Sequence, residues 1–202
     1  MDVTFGKHRY EVTAVYNDDR ESCRSDAVNI LIVDTYELPF LEEFNSEDLE
    51  SNYWTVETKS EIEGDAFFFF LPSSFFGYVG FEGQGLTFQS SGLGRPIDVS
   101  MTSKLLDAAN SEEVYLSFLY RRIMLSENII HPPDVMTLEI SVDNCETWTI
   151  VSEFPLDATD SKWHLSNTNV TEFVSGKMFN FRFKATGSAH NITKMYIDLS
   201  FV

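Results

Sequence analysis

Val135-Met-Thr-Leu-Glu-Ile-Ser-Val-Asp-Asn-Cys-Glu-Thr-Trp-Thr-Ile-Val151 is the stretch that decides the fold of this 202-residue chain. Met136, Leu138, Ile140 and Val142 fall on one side of it, and Thr137, Glu139, Ser141 and Asp143 on the other. A strict period of two is how a strand with one buried face reads. Asp143-Asn144 then supplies a turn, because both side chains hydrogen-bond nearby backbone and tolerate positive φ. Thr147-Trp148-Thr149-Ile150-Val151 starts the return strand. The stretch therefore predicts a β-hairpin with a buried face, an acidic turn and a Trp at its base. It speaks to architecture and fixes no ligand.

The same period recurs along the chain. In Phe179-Asn-Phe-Arg-Phe-Lys-Ala185 the rings alternate with Asn180, Arg182 and Lys184. Near the C-terminus Ile197, Leu199 and Phe201 alternate with Tyr196, Asp198 and Ser200. Ser111-Glu112-Glu113 has the composition of a helix N-cap, but Val114-Tyr-Leu-Ser-Phe-Leu-Tyr120 behind it favours a strand. Many short strands, turns rich in Gly, Pro and Asn, and almost no helical period predict an all-β sandwich or jelly roll.

Residues 7–33 read as a separate hairpin. Tyr10, Val12, Ala14 and Tyr16 alternate with Glu11, Thr13 and Val15, a polar turn follows at 17–22, and Ala27–Val33 returns. Two strands alone are marginal in water, so this pair needs partners. Asp34-Thr-Tyr-Glu-Leu-Pro39 reads as a linker, with Pro39 holding Leu38 extended. The expected organisation is a hairpin and linker over 1–37 and a β-sandwich over 38–202.

Composition narrows the partners. Acidic residues number 32 against 14 basic ones, a net charge of −18, which argues against nucleic acid or an anionic membrane surface. Divalent cations stay open, and solubility alone also accounts for the acidity. No apolar run approaches the ~20 residues of a membrane span. Cys23 and Cys145 lie in different segments and read as unrelated thiols rather than a bridge. Met1-Asp-Val-Thr-Phe-Gly6 has no basic or apolar leader region and begins as though inside a strand, so a fragment of a longer chain is expected.

Two resemblances follow from these segments. Tyr10-Glu-Val-Thr-Ala-Val-Tyr16, the acidic turn and Ser25-Asp-Ala-Val-Asn29 resemble the last two strands of a fibronectin type III domain. Only about a third of such a domain is represented. Leu38-Pro-Phe-Leu-Glu-Glu-Phe-Asn45 resembles the opening strand of jelly-roll modules of the MAM, cleaved-adhesin and choice-of-anchor type. Asn52-Tyr-Trp-Thr-Val56 resembles the Trp segment that follows it there. Ser103-Lys-Leu-Leu-Asp107 and Val114–Tyr120 resemble the paired strands of these modules, and Val135–Val151 their S-x-D-x-G-x-T-W hairpin. Ser161-Lys-Trp-His164, Phe181-Arg-Phe183 and Met195-Tyr-Ile-Asp198 resemble their closing strands. The order of these motifs along the chain carries the resemblance. A partial fibronectin-like module before such a jelly roll is similar to large surface and secreted proteins of Bacteroidetes-type bacteria. The resemblance implies a jelly-roll β-sandwich, concanavalin- or galactose-binding-like, in an extracellular or cell-surface protein.

Candidate sites divide by chemistry. Ser141-x-Asp143-x-Cys145-x-Thr147-Trp148 also resembles the Asp box of sialidase propellers, whose Asp braces the hairpin. Cys145 stands where the motif has a Gly at positive φ, so a differently shaped turn is expected. The resemblance to related jelly rolls implies a structural calcium held by Glu42, Glu43, Asn45 and Asp198, since calcium gathers several oxygen ligands. Leu199 stands where the family has a second Asp, which removes one ligand. The plain reading of Glu42 is a solvated strand residue. Phe67-Phe-Phe-Phe70 and Phe75-Phe76 cannot all face one side of a strand. Core and contact with a neighbouring module are the plain reading, while Phe75, Phe76, Tyr78 and Trp163 are the candidate platform for stacking on a sugar.

No catalytic set emerges. Gly83-Gln-Gly85 and Gly92-Leu-Gly94 lack the strand–loop–helix setting of a dinucleotide site. His8, His131, His164 and His190 have no metal-ligand spacing, and neither H-E-x-x-H nor G-x-S-x-G occurs. Asn169-Val-Thr171 and Asn191-Ile-Thr193 match a glycosylation acceptor, read as incidental in a bacterial protein. The expected role is a non-catalytic adhesion or carbohydrate-binding module, with a glycan or a host or cell-surface protein as partner and further modules in the same chain. The rivals are a glycan-active catalytic or accessory domain, which abundant carboxylates leave open, and a spacer that only positions its neighbours.

Overall fold

Phe179, Phe181 and Phe183 are all buried in the computed structural model, and the residues between them face away from the core. The structure describes residues 6–17, 20–32, 35–42, 44, 54–58, 69–72, 81, 85–89, 97–124, 134–156, 161–187 and 193–198. It divides into two units, Met1–Thr35 and Tyr36–Val202.

In the first unit, β1 (Gly6–Tyr10) and β2 (Val28–Ile32) pair antiparallel, from Gly6 opposite Ile32 to Tyr10 opposite Val28. Beyond Tyr10 the two arms stay joined irregularly. Ser25 N donates to Val12 O and Ser22 N to Ala14 O, both at 2.9 Å, and Val15 bridges Glu21. Glu11 holds Arg9 at 2.6 Å and Arg24 at 3.1 Å. Val12, Val15 and Tyr16 are exposed, so this part of the hairpin buries neither face.

The second unit is a jelly-roll β-sandwich. Its strands are β3 (Tyr36–Glu37), β4 (Thr55–Thr58), β5 (Phe69–Pro72), β6 (Leu86–Gln89), β7 (Ile97–Thr102), β8 (Leu106–Asp107) and β9 (Tyr115–Met124). β10 (Val135–Ser141), β11 (Thr149–Pro155), β12 (Trp163–Asn169), the single-turn α1 (Thr171–Val174), β13 (Met178–Gly187) and β14 (Thr193–Asp198) complete it. Among the described residues the larger sheet runs β11-β10-β13-β7-β4, with β8 beside β13 and β3 beside β8. The smaller sheet runs β12-β9-β14-β6-β5. Tyr36 and Glu37, inside the segment read as a linker, pair in parallel with Leu106 and Asp107.

Alternate residues of both sheets fill the space between them. Val99, Met101, Met136, Leu138 and Phe183 come from the larger sheet, and Leu86, Phe88, Phe118, Met195 and Ile197 from the smaller. Phe118 meets Phe183 edge-on at 5.1 Å and Phe154 at 5.7 Å, the arrangement that ring quadrupoles favour. Each fully buried Phe contributes about 2–3 kcal/mol of transfer free energy. At one end of the core Trp54 packs between Phe44 and Phe181.

The hairpin at Val135–Val151 forms, with two departures from its pattern. Val142 is 43% exposed, because the chain has already left the strand there. Thr137, Glu139 and Ser141, expected to face solvent, are buried. The pairing also slips by one: Leu138 lies opposite Ser152, but Glu139 lies opposite Ile150, leaving Val151 as the extra residue of a β-bulge.

Candidate functional site

The outer face of the larger sheet is mostly polar, with Ile150 exposed beside Glu139, because a period of two sends every second residue away from the core. Register aligns these residues into rungs. Glu139 lies opposite Arg182, Arg182 opposite Thr102, and Thr102 opposite Thr55, so one rung crosses four strands. The next rung is Thr137, Lys184, Ser100 and Glu57.

An ion pair fixes the first rung. Arg182 donates to Glu139 Oε2 from Nε at 2.6 Å and from Nη2 at 2.5 Å, while Thr137 Oγ1 donates to Oε1 at 2.8 Å. Only 15% of the Arg182 side chain and 8% of the Glu139 side chain are exposed. The guanidinium carbon lies 4.0 Å from the centroid of the Trp148 ring. A cation over an indole face in so sheltered a place is attracted more strongly than one in water.

Trp148 reaches this position through the β10–β11 turn. Asp143 accepts from Ser141 Oγ at 2.7 Å, from Thr147 N at 2.9 Å and from the Thr147 hydroxyl. Ser141 Oγ in turn accepts from Cys145 N at 2.9 Å. Hydrogen bonds from the Thr147 hydroxyl, the Thr147 amide and Ser141 stabilise the carboxylate, lowering the Asp143 pKa from 3.8 to about 2. Asn144 and Cys145 take φ of 59° and 67°. The expectation of a differently shaped turn is thus corrected: Cys145 adopts the glycine conformation, held there by its N–H bond to Ser141. Its thiol pKa is raised, first by the surrounding protein and then by Glu57 and Asp143, against the opposing pull of Arg182.

Between turn and sheet lies a groove of about 420 Å³. Thr102, Ser103, Asn180 and Arg182 form its floor. Thr55 and Glu57 of β4 stand on one flank, and Cys145, Glu146 and Trp148 on the other. Asn180 Nδ2 donates to Ser103 O at 3.0 Å, and Ser103 Oγ accepts from Phe181 N at 3.0 Å. The Asn180 amide oxygen, the Thr55 and Thr102 hydroxyls and the Glu57 and Glu146 carboxylates have no hydrogen-bond partner among the described residues. The groove therefore combines the Trp148 indole, fixed by a buried ion pair, with uncommitted donors and acceptors.

The residues singled out from the sequence lie elsewhere. Trp163 belongs to β12 in the smaller sheet, where it meets the exposed Phe81 edge-on at 6.0 Å. Phe75, Phe76 and Tyr78 lie outside the described residues. Glu42 is buried rather than solvated. It accepts from Phe44 N at 2.8 Å and from Trp54 Nε1 at 2.9 Å, so each carboxylate oxygen already serves a protein donor. Glu43 and Asn45 fall outside the described residues, and Asp198 is described by its register opposite Leu119. No cluster of three or more His, Cys, Asp or Glu that could hold a metal ion occurs among the described residues. Cys23 and Cys145 are both exposed free thiols. Among the described residues no helix is long and apolar enough to cross a membrane.

No family model and no curated protein matches the chain by sequence. Among solved structures it is similar to the K2 cleaved adhesin domain of Lys-gingipain, with a TM-score of 0.50 and 18% identity over 79% of this chain and 95% of that one. It is also similar to a carbohydrate-binding module specific for non-crystalline cellulose, with a TM-score of 0.48 and 10% identity over 83% of this chain and 94% of that one. A further structure concerns carbohydrate-binding modules of the β-sandwich superfamily, with a TM-score of 0.47 and 13% identity over 96% of this chain and 72% of that one. At these identities the cleaved-adhesin likeness bears on the fold.

Proposed function

We propose that the sandwich is a non-catalytic carbohydrate-binding module of an extracellular or cell-surface adhesive protein, with the groove over the larger sheet as its glycan site. One observation carries the reading: Trp148, fixed on Arg182, borders a floor and flanks with free amide, hydroxyl and carboxylate groups. A sugar ring has an apolar face rimmed by hydroxyls, and such a site matches both parts. The fold shared with a cleaved adhesin domain agrees with this role.

A glycan array followed by calorimetric titration tests it. The wild-type chain binds at least one glycan without hydrolysing it, and Trp148→Ala abolishes binding while the far-ultraviolet spectrum is kept. Trp163→Ala leaves binding intact. Loss of binding in Trp163→Ala with retention in Trp148→Ala would move the site to the smaller sheet, and an empty array would favour a spacer. The calcium implied for Glu42, Glu43, Asn45 and Asp198 belongs to the same proposal. A melting temperature lowered by chelator supports the ion, and an unchanged one removes it. The hairpin of Met1–Thr35, with Val12, Val15 and Tyr16 exposed, suits a remnant whose apolar residues complete a larger fibronectin-like module.

A further inference from the structure

The charge of the groove sorts its ligands. Its lining carries one guanidinium and two carboxylates, Arg182 against Glu57 and Glu146. Arg182 is already paired, because its Nε and Nη2 both end on the buried Glu139. Glu57 and Glu146 have no such counter-charge among the described residues, and they occupy opposite flanks. A ligand entering between them meets two carboxylates without a counter-charge and one guanidinium already paired with Glu139. The chain as a whole adds to this with its net charge of −18.

Resting on the glycan reading of this groove, we propose that its preferred ligands are amino sugars carrying protonated amines, and that uronic acids and sulfated sugars are rejected. A protonated sugar amine gives Glu57 or Glu146 both a charge and a hydrogen-bond donor, the stronger kind of hydrogen bond. A uronate in the same place faces like charge, and the groove's one arginine is already paired with Glu139. Such negative selection by unpaired charge is a common route to specificity. The lysine of the second rung is itself paired, because Lys184 Nζ lies 3.4 Å from Asp98 Oδ1.

The test is calorimetric titration of the full chain at about pH 6 with three β-1,4-linked oligosaccharides of equal length: a fully deacetylated glucosamine oligomer, a neutral glucose oligomer and a glucuronic acid oligomer. The glucosamine oligomer binds at least about tenfold tighter than the neutral one, and the uronate weakest of the three. Raising salt from about 50 mM to about 500 mM shrinks the preference. In the Glu57→Gln/Glu146→Gln variant the ratio of amino to neutral affinity falls to within about threefold. A uronate that binds as tightly as the neutral oligomer overturns the proposal. So does a preference for amines that survives in the double variant, which would then be attraction to the acidic chain at large. If the neutral oligomer binds with no charge preference, the selectivity falls and the glycan site stands. If none of the three binds and the array is empty, the glycan reading itself falls.

Discussion

Arg182 holds Trp148 with its face and Glu139 with its edge: the guanidinium carbon is 4.0 Å from the ring centroid, while Nε and Nη2 end on one carboxylate oxygen at 2.6 and 2.5 Å. One side chain thus ties the return arm of the hairpin to the centre of the larger sheet. Removing it leaves a buried carboxylate unpaired, whereas removing both charges leaves nothing to compensate. Arg182→Ala is expected to lower the unfolding free energy by about 3 kcal/mol, and Arg182→Met/Glu139→Leu by less than about 1.5 kcal/mol. Thr137 loses little in the double variant, since its hydroxyl also reaches Lys184 O at 3.3 Å. Urea denaturation of both variants decides it, and equal losses would contradict the pairing.

The turn titrates in acid. Asp143 is an acid whose folded pKa, about 2, lies below its ordinary value of 3.8, so its charged form favours the folded state. That contribution is complete above about pH 4 and fades as pH falls through about 2. Asp143→Asn is accordingly less stable than wild type at neutral pH, and the gap between their melting temperatures narrows between pH 4 and pH 2. A gap that stays constant across that window would separate Asp143 from the turn's stability.

Cys145 occupies a left-handed conformation at φ 67°, which costs a residue with a side chain free energy that glycine escapes. Cys145→Gly keeps the N–H donated to Ser141 and is expected to gain about 0.5–1 kcal/mol, while Cys145→Ala gains nothing. Chemical denaturation of the two variants side by side checks the sign.

Glu42 is the acceptor for two buried donors, the Trp54 indole and the Phe44 amide. Glu42→Ala strands both and is expected to cost about 2–4 kcal/mol; Glu42→Gln retains one carbonyl acceptor and costs about half as much. Denaturation followed by tryptophan fluorescence in a Trp148→Phe/Trp163→Phe background reads the loss at Trp54 itself. Equal stability of the alanine variant and wild type would mean that water satisfies both donors.

The inner face of the sandwich was legible in the sequence, because alternation states which residues share a side. Phe179, Phe181, Phe183 and Ala185 are buried as their spacing predicts, and so are Met136, Leu138 and Ile140. The groove was not legible, for a reason of the same kind. Glu139, Arg182, Thr102 and Thr55 come from β10, β13, β7 and β4, and no local pattern states that these strands are neighbours. Thr137, Glu139 and Ser141 read as solvent-facing because alternation cannot show the ion pair and the turn hydrogen bonds that engage them. The available signal was Arg182 itself, a charge between two buried rings on a strand that pairs with the hairpin. Trp163 lies on the smaller sheet, where its register sets it opposite Arg121, a placement that alternation alone does not state.

Trp148, Ser152 and Phe154 are separated by even numbers of residues, and Phe154 is buried in the core. In an unbroken strand all three would look inward, and the indole would be lost among the phenylalanines. The extra residue at Val151 breaks the parity once, so that Thr149 rather than Ile150 lies opposite Ile140 and the next side chain along emerges on the far surface. The position of the ring is therefore a property of the backbone's count and not of the ring. Straightening this one strand would silence the groove while every residue lining it kept its identity.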